Sequence, residues 1–127
     1  MGFGSPNSKV TGFASPAQGY EEASIDLNTV LIKHPSSTFL FRLESADMEK
    51  LGLPKGALLV VDRSIKPCTN QFAILRHEGI ILCRRMENRN QQIVFTNGFT
   101  DIRPIPDETE VIGAVTSYIQ IYNTGNS

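Results

Sequence analysis

Five consecutive apolar residues, Ala57-Leu58-Leu59-Val60-Val61, closed by Asp62, constrain the fold of this chain more than any other stretch. A half-exposed strand alternates apolar and polar residues. A continuous run with β-branched residues at its end has no polar face, and reads as a strand buried on both sides. A polar turn centred on Asp47-Met48 and a connection containing Gly52, Pro54 and Gly56 lead into it.

The sequence around this run is written mostly in a period of two. In S-T-F-L-F-R-L-E, Phe39, Phe41 and Leu43 face one way and Leu40, Arg42 and Glu44 the other, which predicts a strand with a core side. Gln71 to Arg76 and Ile80 to Met86 are expected to be two further strands, joined through His77-Glu78-Gly79 with glycine supplying positive φ. Ile93 to Thr96 is another strand, ended by an Asn97-Gly98 turn. Arg103-Pro104-Ile105-Pro106 is an irregular or edge segment, because proline cannot donate to a ladder. Glu110 to Tyr122 reads as a long closing strand, with Val111, Val115, Ile119 and Ile121 opposed to Ile112, Ala114, Tyr118 and Tyr122. One short helix precedes the strands: Asp26 is a cap, Leu27, Val30 and Leu31 have the spacing of a buried face, and Pro35 ends the helix near Lys33. Six or so strands and one short N-terminal helix make the class mainly β, a bent antiparallel sheet.

Residues 1–22 differ in kind, being rich in Gly, Ser, Pro, Asn and Gln, and are expected to form a flexible N-terminal arm. A short pattern occurs twice in it, Gly2-Phe3-Gly4-Ser5-Pro6 and Gly12-Phe13-Ala14-Ser15-Pro16; chance in a low-complexity segment is the plainer reading beside a doubled docking peptide. The folded domain is expected over residues 23–122 and a disordered tail over 123–127. The size, 127 residues, suffices for one core without staples.

Several function classes are disfavoured. A net charge of -1 gives no general attraction to nucleic acid or anionic membrane. The two cysteines, Cys68 and Cys83, have neither a C-x-x-C spacing nor a neighbouring histidine, so no metal framework is expected and a reducing cytoplasm is the default. No apolar run approaches the roughly 18 residues of a membrane span, and the first residues lack the apolar core of a signal peptide. No Gly-rich phosphate loop, H-E-x-x-H or G-x-S-x-G is present, and no cofactor is implied. His34 and His77 read as solvated loop histidines. Asp107, Glu108 and Glu110 read as a solvated acidic loop. Arg76, Arg84, Arg85 and Arg89 form a local basic patch without interleaved aromatics, read for the most part as a solvated strand surface.

Four motifs together resemble UmuD and, behind it, the LexA-type self-cleaving serine peptidases. They are Gly12-Phe13-Ala14-Ser15-Pro16-Ala17; Ile25-Asp26-Leu27-Asn28 with Leu31-Ile32-Lys33-His34-Pro35-Ser36; Gly56-Ala57-Leu58-Leu59-Val60-Val61-Asp62, similar to G-D-L-L-I-V-D; and Ile112-Gly113-Ala114-Val115-Thr116, similar to F-G-V-V-T. The resemblance runs over about residues 12–121 almost without gaps, and implies the bent antiparallel sheet of the LexA and signal-peptidase fold, a β-clip. Such proteins remove their own N-terminal arm with a Ser-Lys dyad: a serine in an S-G-D-S-M turn attacks, and a lysine in a V-K-K pair is the base.

In this chain S-G-D-S-M falls on Glu44-Ser45-Ala46-Asp47-Met48, and V-K-K on Cys83-Arg84-Arg85. Asp47 therefore stands at the nucleophile position and Arg84 at the base position. A guanidinium with a pKa above about 12 cannot act as a base near neutral pH. Nothing in the pattern would activate a carboxylate against an amide. Ser45 matches the glycine two residues before the nucleophile and reads as a turn residue. The bond matching the cleavage site would be Thr11-Gly12, where the family favours Cys-Gly or Ala-Gly. Two complementary charges at the dyad positions suggest an ion pair.

The resemblance thus implies a pseudo-peptidase, a catalytically inactive accessory subunit for SOS translesion DNA synthesis that resembles the processed form. It would be cytoplasmic and homodimeric, its last strand exposed along an edge as the dimer element. Its partners would be a UmuC-like Y-family polymerase and a RecA filament, reached through protein contacts and not through bases. Rival readings are a decoy that heterodimerises with a cleavable UmuD- or LexA-type relative, and an active self-cleaving peptidase with a rearranged site. A LexA-like repressor is the weakest rival, since a helix-turn-helix is not expected in so short an arm.

Overall fold

The computed structural model describes residues 26–122. The arm at 1–22, its doubled Gly-Phe pattern, the Thr11-Gly12 bond and the tail at 123–127 lie outside the described residues. Residues 26–33 and the body from His34 onward belong to separate units and are taken in turn.

In the first unit, α1 spans Leu27–Leu31. Asp26 caps it as the sequence predicts: one carboxylate oxygen accepts from the Asn28 N–H and the other from the Thr29 hydroxyl, both at 3.0 Å. No residue of α1 is fully buried; Leu27 and Val30 are exposed and Leu31 is half-buried, so the expected buried face is not seen among the described residues. The helix is barely longer than one turn.

The body is one antiparallel sheet of seven strands: β1 Thr38–Arg42, β2 Leu58–Asp62, β3 Phe72–His77, β4 Ile80–Arg89, β5 Gln92–Thr96, β6 Asp101–Ile102 and β7 Thr109–Ile119, in the order β1-β2-β7-β3-β4-β5-β6. The predicted mainly β class with a short N-terminal helix is what the structure shows. Along β1, Phe39 and Phe41 are partly buried while Leu40 and Arg42 are exposed, and both phenylalanines pack on the main core. Residues 59–62 of β2 are all buried, as the apolar run predicts. The β3–β4 hairpin turns on Glu78 and Gly79, both at positive φ (51° and 83°), the backbone of a two-residue turn that matches strand twist.

β7 departs from expectation in two ways. It lies inside the strand order, between β2 and β3. Its two halves face different neighbours: residues 109–114 pair with β3 and residues 114–119 with β2. Residues 115–119 thus have β2 on one edge and, among the described residues, no strand on the other. The predicted alternation also breaks, because the registers skip Ile112 against β3 and Thr116 against β2. Each bulge reverses the inside–outside sense of the residues beyond it. Ile112 and Val115, assigned to opposite faces by period two, consequently pack on the same core cluster.

That cluster joins Leu43, Met48, Leu53, Ala57, Leu59, Val61, Ile74 and Cys83. A smaller one joins Ala73, Leu75 and Phe95, with Met86 and Ile102 against it.

Candidate functional site

The turn carrying Asp47 is built by closing a loop between β1 and β2. The Leu43 N–H donates to the Ala57 carbonyl (2.9 Å), and the Gly56 N–H to the Leu43 carbonyl (2.7 Å), pinning both ends. Inside, Glu49–Leu51 form a single 3-10 turn ended by Gly52 at φ 97°, a conformation that favours glycine. The turn is anchored by Met48, fully buried in the main core, and by Leu53. Burying a side chain such as Met48 contributes roughly 1.5–3 kcal/mol. Asp47, next to that anchor, is held at the rim, its side chain 36% exposed.

Arg84 comes from β4, across from Ala73 of β3. Its side chain is only 10% exposed, and Nη1 donates to Asp47 Oδ2 at 3.1 Å and to the Cys83 carbonyl at 2.8 Å. The Met48 sulfur lies 3.9 Å from the same nitrogen. Nε is buried with no partner among the described residues. Asp47 and Arg84, 37 residues apart in sequence, are therefore a partly buried ion pair. Arg84 is thus the exception to the solvated-surface reading of the basic patch, and the ion pair suggested at the two dyad positions is present.

Two other groups near the pair could be asked to attack a carbonyl. Ser45 is exposed, and its Oγ accepts from the Asp47 N–H at 3.1 Å. That is a turn-stabilising bond, and no basic side chain among the described residues reaches the hydroxyl. Cys83 is buried, and burial pushes its thiol up to about 12 against the opposing pull of Arg84. It stays protonated at neutral pH and is a poor nucleophile.

A second polar cluster was missed from the sequence. Asp62, at the end of β2, is buried, and its carboxylate accepts from the Ser64 hydroxyl (2.6 Å), the Ser64 N–H (2.8 Å) and the Ser37 hydroxyl (3.2 Å), and pairs with His34 Nδ1 (2.6 Å). The Ser64 hydroxyl, then His34, hold this carboxyl well below the usual range despite its burial. The trio has the composition of a catalytic triad but not its geometry. Ser64 Oγ lies 3.3 Å from the same ring nitrogen that meets Asp62, whereas a triad uses the two nitrogens of the ring in series. The cluster is a clasp joining the Pro35–Ser37 turn to the end of β2. His34 is not simply solvated, nor is His77, whose Nδ1 lies 2.7 Å from Thr109 Oγ1. The signal for the clasp was the D-x-S pattern of Asp62 and Ser64, a local side-chain-to-backbone turn.

The rest of the basic patch is neutralised. Arg76 pairs with Glu110, Arg85 and Arg89 both with Glu87, and Arg89 also with Asp101. Arg89 and then Arg85 hold the Glu87 carboxyl below its ordinary value. Glu110 thus lies in β7 and not in an acidic loop, while Asp107 and Glu108 are exposed before it. No group of three metal-ligating side chains occurs among the described residues, and no helix among them is long and apolar enough to cross a membrane.

Comparison with known proteins agrees with this architecture. The family model described as peptidase S24-like matches residues 7–116. Protein SamA of Salmonella typhimurium is 32% identical over 108 residues, which are 85% of this chain and 77% of SamA. Protein ImpA of Escherichia coli is 39% identical over 75 residues, 59% of this chain and 52% of that protein. LexA repressor of Psychromonas ingrahamii is 29% identical over 89 residues, 70% of this chain and 42% of the repressor. With the family model matched across most of its length, a relative 32% identical over 85% of it and a sheet of the expected class, the chain belongs to the peptidase S24-like family.

Proposed function

We propose that this chain is a UmuD-like accessory protein of SOS mutagenesis that works by binding and has lost self-cleavage. One observation carries the reading: the Asp47 carboxylate and the buried Arg84 guanidinium meet at 3.1 Å, at the positions that resemblance assigns to the nucleophilic serine and the basic lysine. Arg84 cannot take a proton from an attacking group. Asp47 is engaged by the cation beside it, and Ser45 and Cys83 lack a base. A site so filled binds nothing covalently and keeps only the fold. The chain would act as a homodimer, using the edge of residues 115–119 that carries no strand among the described residues, with a UmuC-like polymerase and a RecA filament as partners.

The full chain, incubated at alkaline pH or with activated RecA filament, should remain intact by mass spectrometry. A product beginning at Gly12 overturns the reading. The variant carrying Asp47→Ser, Arg84→Lys and Thr11→Ala together should generate that product, which separates loss of the dyad from loss of the fold. Pull-down with a UmuC-like polymerase tests the binding role. Retention of a cleavable UmuD-like relative instead would favour the decoy.

A further inference from the structure

An open groove of about 480 Å³ lies away from the Asp47–Arg84 pair, at the smaller core cluster. Met86, Phe95, Ile93 and Val111 give it an apolar lining, and Arg63 and Lys66, from the segment between β2 and β3, stand at its rim. Ile93 and Val111 are 44% and 42% exposed. The site is therefore an open apolar trough with aliphatic lips, suited to side chains of a docked segment rather than to an enclosed small molecule.

Two cations stand at the rim, and like Arg42 and Arg103 they differ from the paired arginines of β3 and β4. Arg76, Arg84, Arg85 and Arg89 each have a carboxylate within salt-bridge distance. Arg63 and Lys66 have none among the described residues; Arg63 only overlies the Phe39 ring, 6.0 Å from its centroid. Both are exposed. Two uncompensated cations beside exposed aliphatic and aromatic surface are complementary to a chain that carries carboxylates next to apolar anchors. Nucleic acid would match the cations, but its phosphates have no counterpart on the Met86, Phe95 and Val111 lining.

We propose that this groove docks an acidic, hydrophobic peptide segment of a partner protein, with apolar side chains in the trough and carboxylates on Arg63 and Lys66. The proposal is independent of whether the Asp47–Arg84 site is inactive.

The test is selection of a random dodecapeptide phage library on the immobilised full chain, followed by fluorescence polarisation with the enriched peptides. Enriched sequences should pair Asp or Glu with Leu, Ile or Phe. Their affinity should fall about tenfold in Arg63→Glu/Lys66→Glu, a change of about one decade for reversing two rim charges. It should also fall with Val111→Asp and with added salt. Circular dichroism confirms that each variant is folded, and methyl shifts of Met86, Ile93 and Val111 on peptide addition place the complex without any mutation. Enriched peptides without acidic residues, unchanged affinity in the charge-reversed variant, or shifts confined to other methyl groups overturn the proposal. So does a charge reversal that alters only the sedimentation of the protein itself, which would make the groove a contact between copies.

Discussion

Asp47→Ala is expected to destabilise the protein, and Arg84→Met in the same chain to recover most of that loss. The two members of the pair are unequal: Arg84 is 10% exposed and Asp47 36%. Without Asp47, the guanidinium keeps the Cys83 carbonyl, its Nε is already unpartnered, and its charge has no counter-ion. At 3.1 Å the gross attraction is about 5 kcal/mol for an effective dielectric of 20, and about 1.3 kcal/mol in bulk water. The solvent reaching Asp47 pulls the net value toward the lower figure. A fully buried pair broken on one side costs about 3–5 kcal/mol and an exposed pair about 0.2–1. Asp47→Ala should therefore cost about 1–2 kcal/mol. Methionine at 84 would place an unbranched apolar chain beside Met48 and leave no charge to desolvate. Urea unfolding of the four proteins closes a double-mutant cycle, with an expected coupling of about 1 kcal/mol or more. Coupling below about 0.3 kcal/mol, within the additivity of independent sites, would refute the reasoning. The pair would then be two unrelated side chains that happen to meet.

Other outcomes rest on the same geometry. Asp62 has a folded pKa below its ordinary value of 3.8, so the unfolded chain binds the proton more tightly. Its contribution is complete above that value and is lost progressively as the pH falls below it toward the folded pKa. Asp62→Asn should flatten the acid limb of an unfolding midpoint measured against pH; an unchanged limb would show that Asp62 does not set it. A Cβ at Gly113 would lie 2.7 Å from the Asp62 carbonyl oxygen and 3.0 Å from Arg63 Cα, both backbone atoms that cannot swing aside. Gly113→Ala should cost about 1–3 kcal/mol in urea unfolding, the usual range for overpacking, and a wild-type midpoint would contradict the contact. Of the two free thiols, exposed Cys68 should react with Ellman's reagent in the native protein and buried Cys83 only after unfolding. Two thiols titrating natively would exclude the buried placement.

The strands were legible wherever the sequence followed one period without interruption. β1 was readable because its partner lies in register along its whole length, Thr38 to Arg42 pairing without a break with Asp62 to Leu58, and β2 was readable from its unbroken apolar run although its other edge shifts register against β7. In β7 the apolar residues are as frequent, but bulges at Ile112 and Thr116 shift the phase, and a bulge has no signature in a list of Val, Ile and Thr. β6 is two residues long and held by β5 alone, too short for any period. Asp47 and Arg84 were marked as a pair only through resemblance, since each alone is an ordinary polar residue of a turn and a strand. His34 failed for the opposite reason. Its partner Asp62 was in plain view at the end of the apolar run, but a contact across 28 residues depends on the sheet that joins them.

The divided pairing of β7 also bears on how the molecule is made. Ala114 is opposite Asp62 of β2 on one edge and Ala73 of β3 on the other, so the β1–β2 ribbon and the β3–β6 meander are joined through the last strand of the described chain. Leu58 meets Ile119 across 61 positions of sequence. During vectorial synthesis, the meander can form its hairpins locally as it leaves the ribosome. The ribbon, with its buried run Leu59 to Val61, has to wait for β7. Over that interval the chain's most hydrophobic strand would have one edge uncovered, so a stall before residue 114 should leave a nascent chain open to aggregation or to chaperone capture.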